Sequence, residues 1–236
     1  MADSTMYSVG FSNKTERTWT MGIYQTLPSS PGLESVSWQQ GSAPRSGKTS
    51  VRWALDFNAA IADYFQLGAI GVYESSQILP TNLGKKWKVI FNGVTQELVE
   101  DGNAPQSNQI VIDNQSTRAA NLGIGMSGQG SVFKRDVLSG SQAQFIVTPT
   151  YWAALFNDVV LGEVISSNIT IQPLILKFEG GITRIDLEAT VEGQTLHFGV
   201  VGSSQRTSMP LSLVDSLLAE QAASAPARRQ FRERAA

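Results

Sequence analysis

Apolar residues in this chain return at every second position over long stretches, a period that admits little except extended strands. Tyr7, Val9 and Phe11 alternate with polar or small residues. Trp19, Met21 and Ile23 do the same, as do Val51, Trp53, Leu55 and Phe57. Successive side chains of a strand point to opposite faces, so each run builds one apolar and one polar face. The runs are also rich in the β-branched and aromatic residues that suit a pleated surface. Breaks at 28–32, 41–47, 101–105, 128–130 and 180–181 keep the strands short, which points away from βαβ units. The expected fold is all-β: an antiparallel β-sandwich, jelly-roll-like or similar, over residues 1–207. No internal repeat stands out by eye.

Two hairpins have a readable register. Asn92-Gly93 suits a two-residue turn, because both central positions of a type I′ turn need positive φ. It would place Phe91 opposite Val94, Val89 opposite Gln96 and Trp87 opposite Leu98, with Lys88 facing Glu97. The second turn, at Glu192-Gly193, puts Ile185, Leu187, Ala189 and Val191 on one face with Leu196, Phe198 and Val200. That face is core, since a one-residue slip would move the whole set into water. His197, the only histidine, would then sit on the polar side opposite Glu188.

One helix is expected near the end, in residues 208–236. Pro210 suits a first turn, and Leu211, Val214, Leu218 and Ala222 share a helical face. Ala225-Pro226 should close it and leave an arginine tail in solvent. Four arginines against one glutamate give the last nine residues +3, so the remainder carries −5 of the net −2. An acidic body disfavours nucleic acid as a partner, because phosphate backbones are held by clustered Lys and Arg. The tail offers three readings: a frayed solvated terminus, a contact with nucleic acid or membrane, or a hook for the acidic body of a neighbouring copy.

Charged residues make up 16% of the chain, against about 25% in an average soluble domain. Weak mutual repulsion favours self-association, and a surface of neutral polar groups suits sugars. Cysteine is absent, which removes disulfides, thiolate metal sites and thiol nucleophiles. The start has neither the basic nor the apolar region of a secretory signal, and no 20-residue apolar run spans a membrane. The expected location is therefore the cytoplasm, or export by an unmarked route.

The apparent motifs dissolve on inspection. Gly41 to Thr49 mimics a phosphate-binding loop but has one residue too many and leads into a strand. Gly123-Ile124-Gly125-Met126-Ser127-Gly128 has dinucleotide-loop spacing without a βαβ unit; glycines there also fit a bulge, a tight turn or close backbone approach. Asn13-Lys14-Thr15, Asn114-Gln115-Ser116 and Asn168-Ile169-Thr170 read as chance glycosylation triplets. No catalytic residue, metal ligand or cofactor emerges. The segment from Thr148 to Asp158 is the most suggestive. Tyr151 and Trp152 could form a platform for a sugar ring, with Asn157 and Asp158 accepting its hydroxyls; the alternative is a core strand.

Three stretches together resemble a known family: Asn121-Leu122-Gly123-Ile124-Gly125-Met126-Ser127-Gly128-Gln129-Gly130, Phe145-Ile146-Val147-Thr148-Pro149-Thr150-Tyr151-Trp152, and Phe156-Asn157 with Leu161-Gly162-Glu163-Val164. They look like the rhizosphere-induced proteins of soil bacteria. The likeness is clearest over 121–165, looser over 7–100 and absent beyond about 205. It implies a non-enzymatic bacterial product of host- or community-associated life, and it carries over no binding residue. Three classes of function remain. The first is a self-assembling protein using Leu211, Val214, Leu218, Arg228, Arg229 and Arg232. The second is a glycan-binding module using Tyr151, Trp152, Asn157 and Asp158. The third is a membrane-active β protein.

Overall fold

The computed structural model describes residues 5–25, 32–68, 70–147, 150–165, 170–223 and 225–235. Thr148-Pro149 and the Asn168-Ile169 part of the third triplet lie outside them. The strands run in chain order as β1 (Met6–Asn13), β2 (Trp19–Tyr24), β3 (Leu33–Ser35), β4 (Gln39–Ala43), β5 (Lys48–Ala54) and β6 (Phe57–Leu67). There follow β7 (Ile70–Thr81), β8 (Lys85–Phe91), β9 (Gln96–Asn103), β10 (Gln109–Asn114), β11 (Ala120–Met126) and β12 (Gln129–Val137). The last are β13 (Gln142–Ile146), β14 (Tyr151–Phe156), β15 (Leu174–Leu176), β16 (Arg184–Glu192), β17 (Thr195–Val200) and β18 (Arg206–Pro210), before helices α1 (Leu211–Ala222) and α2 (Ala225–Ala235). The protein is all-β with a helical C-terminus.

The strands make two sandwiches where one was expected. Sheets β18-β17-β16-β1-β5 and β15-β14-β2-β4 enclose one core, around Phe11, Trp19, Met21, Leu155, Leu187 and Phe198. Sheets β13-β10-β8-β9 and β3-β12-β11-β6-β7 enclose a second, around Ile61, Val89, Ile112, Leu122 and Phe145. Pairing is antiparallel except at β1 with β16 and β10 with β8.

The two sandwiches are the same structure made twice. Order β17-β16-β1-β5 matches β9-β8-β10-β13, and β15-β14-β2-β4 matches β7-β6-β11-β12. The parallel registers also match: Phe11 pairs with Leu187 and Asn13 with Ala189, while Ile112 pairs with Trp87 and Asn114 with Val89. β1 to β9, β3 aside, is therefore one repeat and β10 to β17 the other. Each sandwich takes the first four strands of one repeat and the last four of the other, so the repeats have exchanged halves.

The repeat hides because few residues are shared. One island is the loop after β1 and after β10, Asn13-Lys14-Thr15-Glu16-Arg17 against Asn114-Gln115-Ser116-Thr117-Arg118. The Asn13 amide donates to the carbonyls of Arg17, Ala43 and Pro44, and its oxygen accepts from the Thr15 backbone and hydroxyl. Asn114 donates to the carbonyls of Arg118 and Val137 and accepts from Ser116 in the same way. Both asparagines are buried. These two triplets are thus the loop's internal scaffold, with the amide nitrogens already engaged.

Both hairpin registers move by two residues, which preserves the faces. Phe91 pairs with Gln96 and Val89 with Leu98, around a four-residue loop in which Asn92 Oδ1 accepts from the Val94 and Thr95 amides. That side-chain bond holds the longer loop in place of a type I′ turn. Lys88 meets Asp101 at 2.9 Å, not Glu97. In the second hairpin Val191 pairs with Leu196, Ala189 with Phe198 and Leu187 with Val200. His197 faces Thr190, with Glu192 at 3.6 Å.

Candidate interaction surface at the C-terminal arm

The residues singled out at both ends of the chain's last third meet at one surface. Pro210 precedes α1 and Leu211 opens it, the Leu211 amide donating to the Gln194 carbonyl. Val214 is buried against the first sandwich, with Leu211 and Leu218 beside it. Those three expected assembly residues therefore pack on their own body, as an amphipathic helix facing a core does. Arg17 and Asp215 tie the same helix down at 2.5 Å.

The arginine tail is a helix, not a frayed end. Ala225-Pro226, expected to stop a helix, instead starts α2, where a first-turn proline lacks only an N–H that has no helical partner. Ala227 and Phe231 meet a small apolar cluster of Ile70, Val72 and Val160. Arg228 is 3% exposed and pairs with Glu163, 2% exposed, through Nη2 at 2.9 Å and Nε at 3.2 Å. Glu163 also accepts the Val160 amide at 3.0 Å. Arg232 grips the Asp158 carboxylate with both terminal nitrogens and donates to the Val159 carbonyl. Arg229 is exposed. The hook does engage the acidic body, and in this structure the body is its own.

The sugar platform does not assemble. Neighbours in a strand point to opposite faces, so Tyr151 and Trp152 cannot present their rings together. Tyr151 is buried 5.2 Å from the Trp53 ring, and its hydroxyl donates to the Met126 sulfur at 3.6 Å. Burial pushes that phenol up to about 12. Trp152 is half-buried against the core, Asn157 is exposed, and Asp158 is committed to Arg232. Asp158 and Arg232, assigned to different functions by sequence, form one contact.

The segment holding Glu163 is built tightly into the body. Gly162 donates to the Ser37 carbonyl and accepts from Tyr73, while Val164 donates to Gly71. Gly162 has φ +80°, and a Cβ there would lie 2.2 Å from the Tyr73 carbonyl oxygen. The glycine-rich stretch before it also serves packing. The Phe133 ring lies where Cβ atoms of Gly123 and Gly130 would be, at 2.3 and 2.2 Å, and stacks on Tyr73 at 4.4 Å and 7°. Ser127 and Gly128, both at positive φ, turn β11 into β12. Close approach and a tight turn account for these glycines. Sequence reasoning passed over Glu163 as a partner for the tail, because nothing local marks a contact across 65 residues.

Interlocked halves, two sandwich cores and a basic arm seated on a carboxylate define a duplicated β-sandwich protein with an appended helical clasp. The chain belongs to the RhiA family, whose model matches residues 4–198. It is 24% identical to Protein RhiA of Rhizobium leguminosarum bv. viciae over 195 residues, covering 78% of this chain and 83% of that protein. The match runs past the 121–165 stretch that carried the likeness and takes in both repeats, ending within β17. No solved structure matches. No described helix is long and apolar enough to cross a membrane.

Proposed function

We propose that this protein acts without catalysis, by assembly, with α2 of one copy seating on the Glu163 and Asp158 carboxylates of another. The observation that carries this is the Arg228–Glu163 pair. A helix with two apolar contact residues is fastened mainly by guanidinium–carboxylate bonds. Withdrawing the arm leaves Glu163 without that partner in a protein-lined niche, an arrangement unfavourable by several kcal/mol unless water or another cation replaces it. The seat therefore selects an arginine helix, and every copy carries one. Reciprocal exchange keeps each contact and costs only the entropy of joining two chains, so a tethered arm at an effective concentration of about 1 mM sets the scale at which exchange competes.

Complementary charge reversal tests this. Glu163→Arg and Arg228→Glu each oppose like charges at the seat, so each variant alone should have a loosened arm and stay monomeric by light scattering. In an equimolar mixture, the Arg228 arm of the first fits the Glu163 seat of the second, and the reversed pair fits the other way. A one-to-one heterodimer is the expected result. If the buried site does not tolerate reversal, Asp158→Arg with Arg232→Glu asks the same at the more exposed pair. Mixtures that remain monomeric at both pairs would overturn assembly by this arm.

A further inference from the structure

The duplication supplies a second seat for a helix. In the first sandwich α1 is fixed at two points. The Leu211 amide donates to the Gln194 carbonyl in the β16–β17 loop, and Asp215 pairs with Arg17 at 2.5 Å. Between those points Val214 is buried. Both points recur in the second sandwich. Phe91 pairs with Gln96 as Val191 pairs with Leu196, so Val94 stands in the β8–β9 loop where Gln194 stands. Arg118 stands where Arg17 stands, its carbonyl taking the Asn114 amide as that of Arg17 takes Asn13.

Val94 and Arg118 line one cleft of about 260 Å³, together with Ile61 and Phe91. Both helices of the chain pack elsewhere. Val94 is 88% exposed. The Arg118 guanidinium lies over the Phe91 ring, 5.4 Å from its centre, and makes no ion pair among the described residues. β17 runs on through β18 into α1 whereas β9 is followed by β10, so one sandwich receives a helix and its copy does not. α1 has a face to spare. Leu213, Leu217 and Glu220 fall at i, i+4 and i+7 and share one side of the helix, away from Val214 and Leu218. Leu213 is 49% exposed and Leu217 half-buried, and Glu220 is exposed with no ion pair among the described residues. Apolar side chains beside a carboxylate are also what Val214 and Asp215 bring to the first seat.

We infer that the outer face of α1 docks in the Arg118 cleft of a second copy, with Glu220 pairing to Arg118 and Leu213 and Leu217 covering Val94 and Phe91. A guanidinium stacked on a ring still presents its N–H edge to a carboxylate. Asp63 also lines the cleft and makes no ion pair with Arg118. It sets the direction of the helix, because a carboxylate favours a helix N-terminus and repels another acid. The first turn of α1 therefore lies toward Asp63 and Glu220 toward Arg118. Helix of one copy meets cleft of the next, so the contact is heterologous and propagates into a ring or an open chain. Exchange of α2 is reciprocal and closes at two copies. The α1 contact does not rest on it and uses neither Glu163 nor Arg228. Exposed ion pairs are weak and screened by salt, so association belongs to high protein and low salt concentration.

Sedimentation equilibrium of the full chain, from about 10 μM to 1 mM protein and at about 20 mM and 500 mM salt, tests the inference. At low salt the average mass should climb past that of a dimer as concentration rises, and high salt should reverse the climb. Arg118→Glu blocks the cleft, Glu220→Arg and Leu213→Ser the helix. Each should weaken association beyond the dimer at least tenfold while thermal midpoints hold, since all three residues are exposed. An equimolar mixture of Arg118→Glu and Glu220→Arg brings opposite charges together at every junction and should regain the climb. A wild-type mass that stops at the dimer would assign all association to the arm and overturn the α1 contact. So would a climb unchanged in the three variants, or a mixture no heavier than its components. A chain that stays monomeric throughout would leave the cleft to a foreign helix or a small carboxylate, and also overturns it.

Discussion

Asn13 and Asn114 each knit a loop to two or more backbone carbonyls from a fully enclosed position. Replacing either with Ala strands several polar groups at once, each costing about 1–3 kcal/mol. Asn13→Ala and Asn114→Ala should therefore each lose roughly 2–4 kcal/mol in denaturant unfolding, and by similar amounts because the loops are copies. Tyr151 makes a second residue-scale prediction. Burial raises its phenol from 10.0 to about 12, and Tyr24 and Tyr73 are also raised, chiefly by burial. A raised folded value favours the neutral phenol in the fold, so that stability is complete below pH 10 and drains as pH climbs through about 12. An alkaline absorbance titration should show these three of the five tyrosines ionising together with loss of structure. Their ionisation at pH 10 in a folded protein would contradict their placement.

At the scale of elements, packing of Phe133 over Gly123 and Gly130 joins β11 to β12 and stacks their hairpin on Tyr73. Gly130→Val would collide with that ring and should destabilise by about 1–3 kcal/mol, as overpacking does. Phe133→Ala in the same chain should make the added valine nearly harmless, so a double-mutant cycle would give strong coupling. Much at this scale was legible in the alternation. Both hairpins slipped by two residues yet kept Leu187, Ala189 and Phe198 inside, because a period of two survives any even shift. The turns misled, since Asn92 used its side chain to hold a longer loop. The apolar face of α1 was legible as far as Ala222, but its close was expected at Ala225-Pro226, and a proline that can open a helix as readily as follow one concealed α2.

Over the whole molecule, the exchange of halves between repeats is the feature the sequence hid most completely. Phe57-Asn58-Ala59-Ala60-Ile61 and Tyr151-Trp152-Ala153-Ala154-Leu155 occupy equivalent strands, yet only two residues coincide. What the copies share in sequence is an alternating pattern, which any two β-sandwiches share, so repetition emerged only from matching sheet orders and registers. Long-range partners were equally illegible. Tyr151 looked like a binding platform because aromatics in a row advertise stacking, while the pleat sends alternate rings inward. Arg228 and Glu163 are unremarkable until the fold seals them together.

The proposed arm can be followed directly, because a chain without cysteine accepts a single pair of thiols cleanly. Asp158→Cys with Arg232→Cys places one thiol on the seat and one on the arm, to be joined by a short bifunctional thiol reagent across a range of protein concentrations. Cross-linking within one chain at low concentration, giving way to a covalent dimer as concentration rises, is the predicted result. A product confined to single chains even at millimolar protein would contradict assembly through α2.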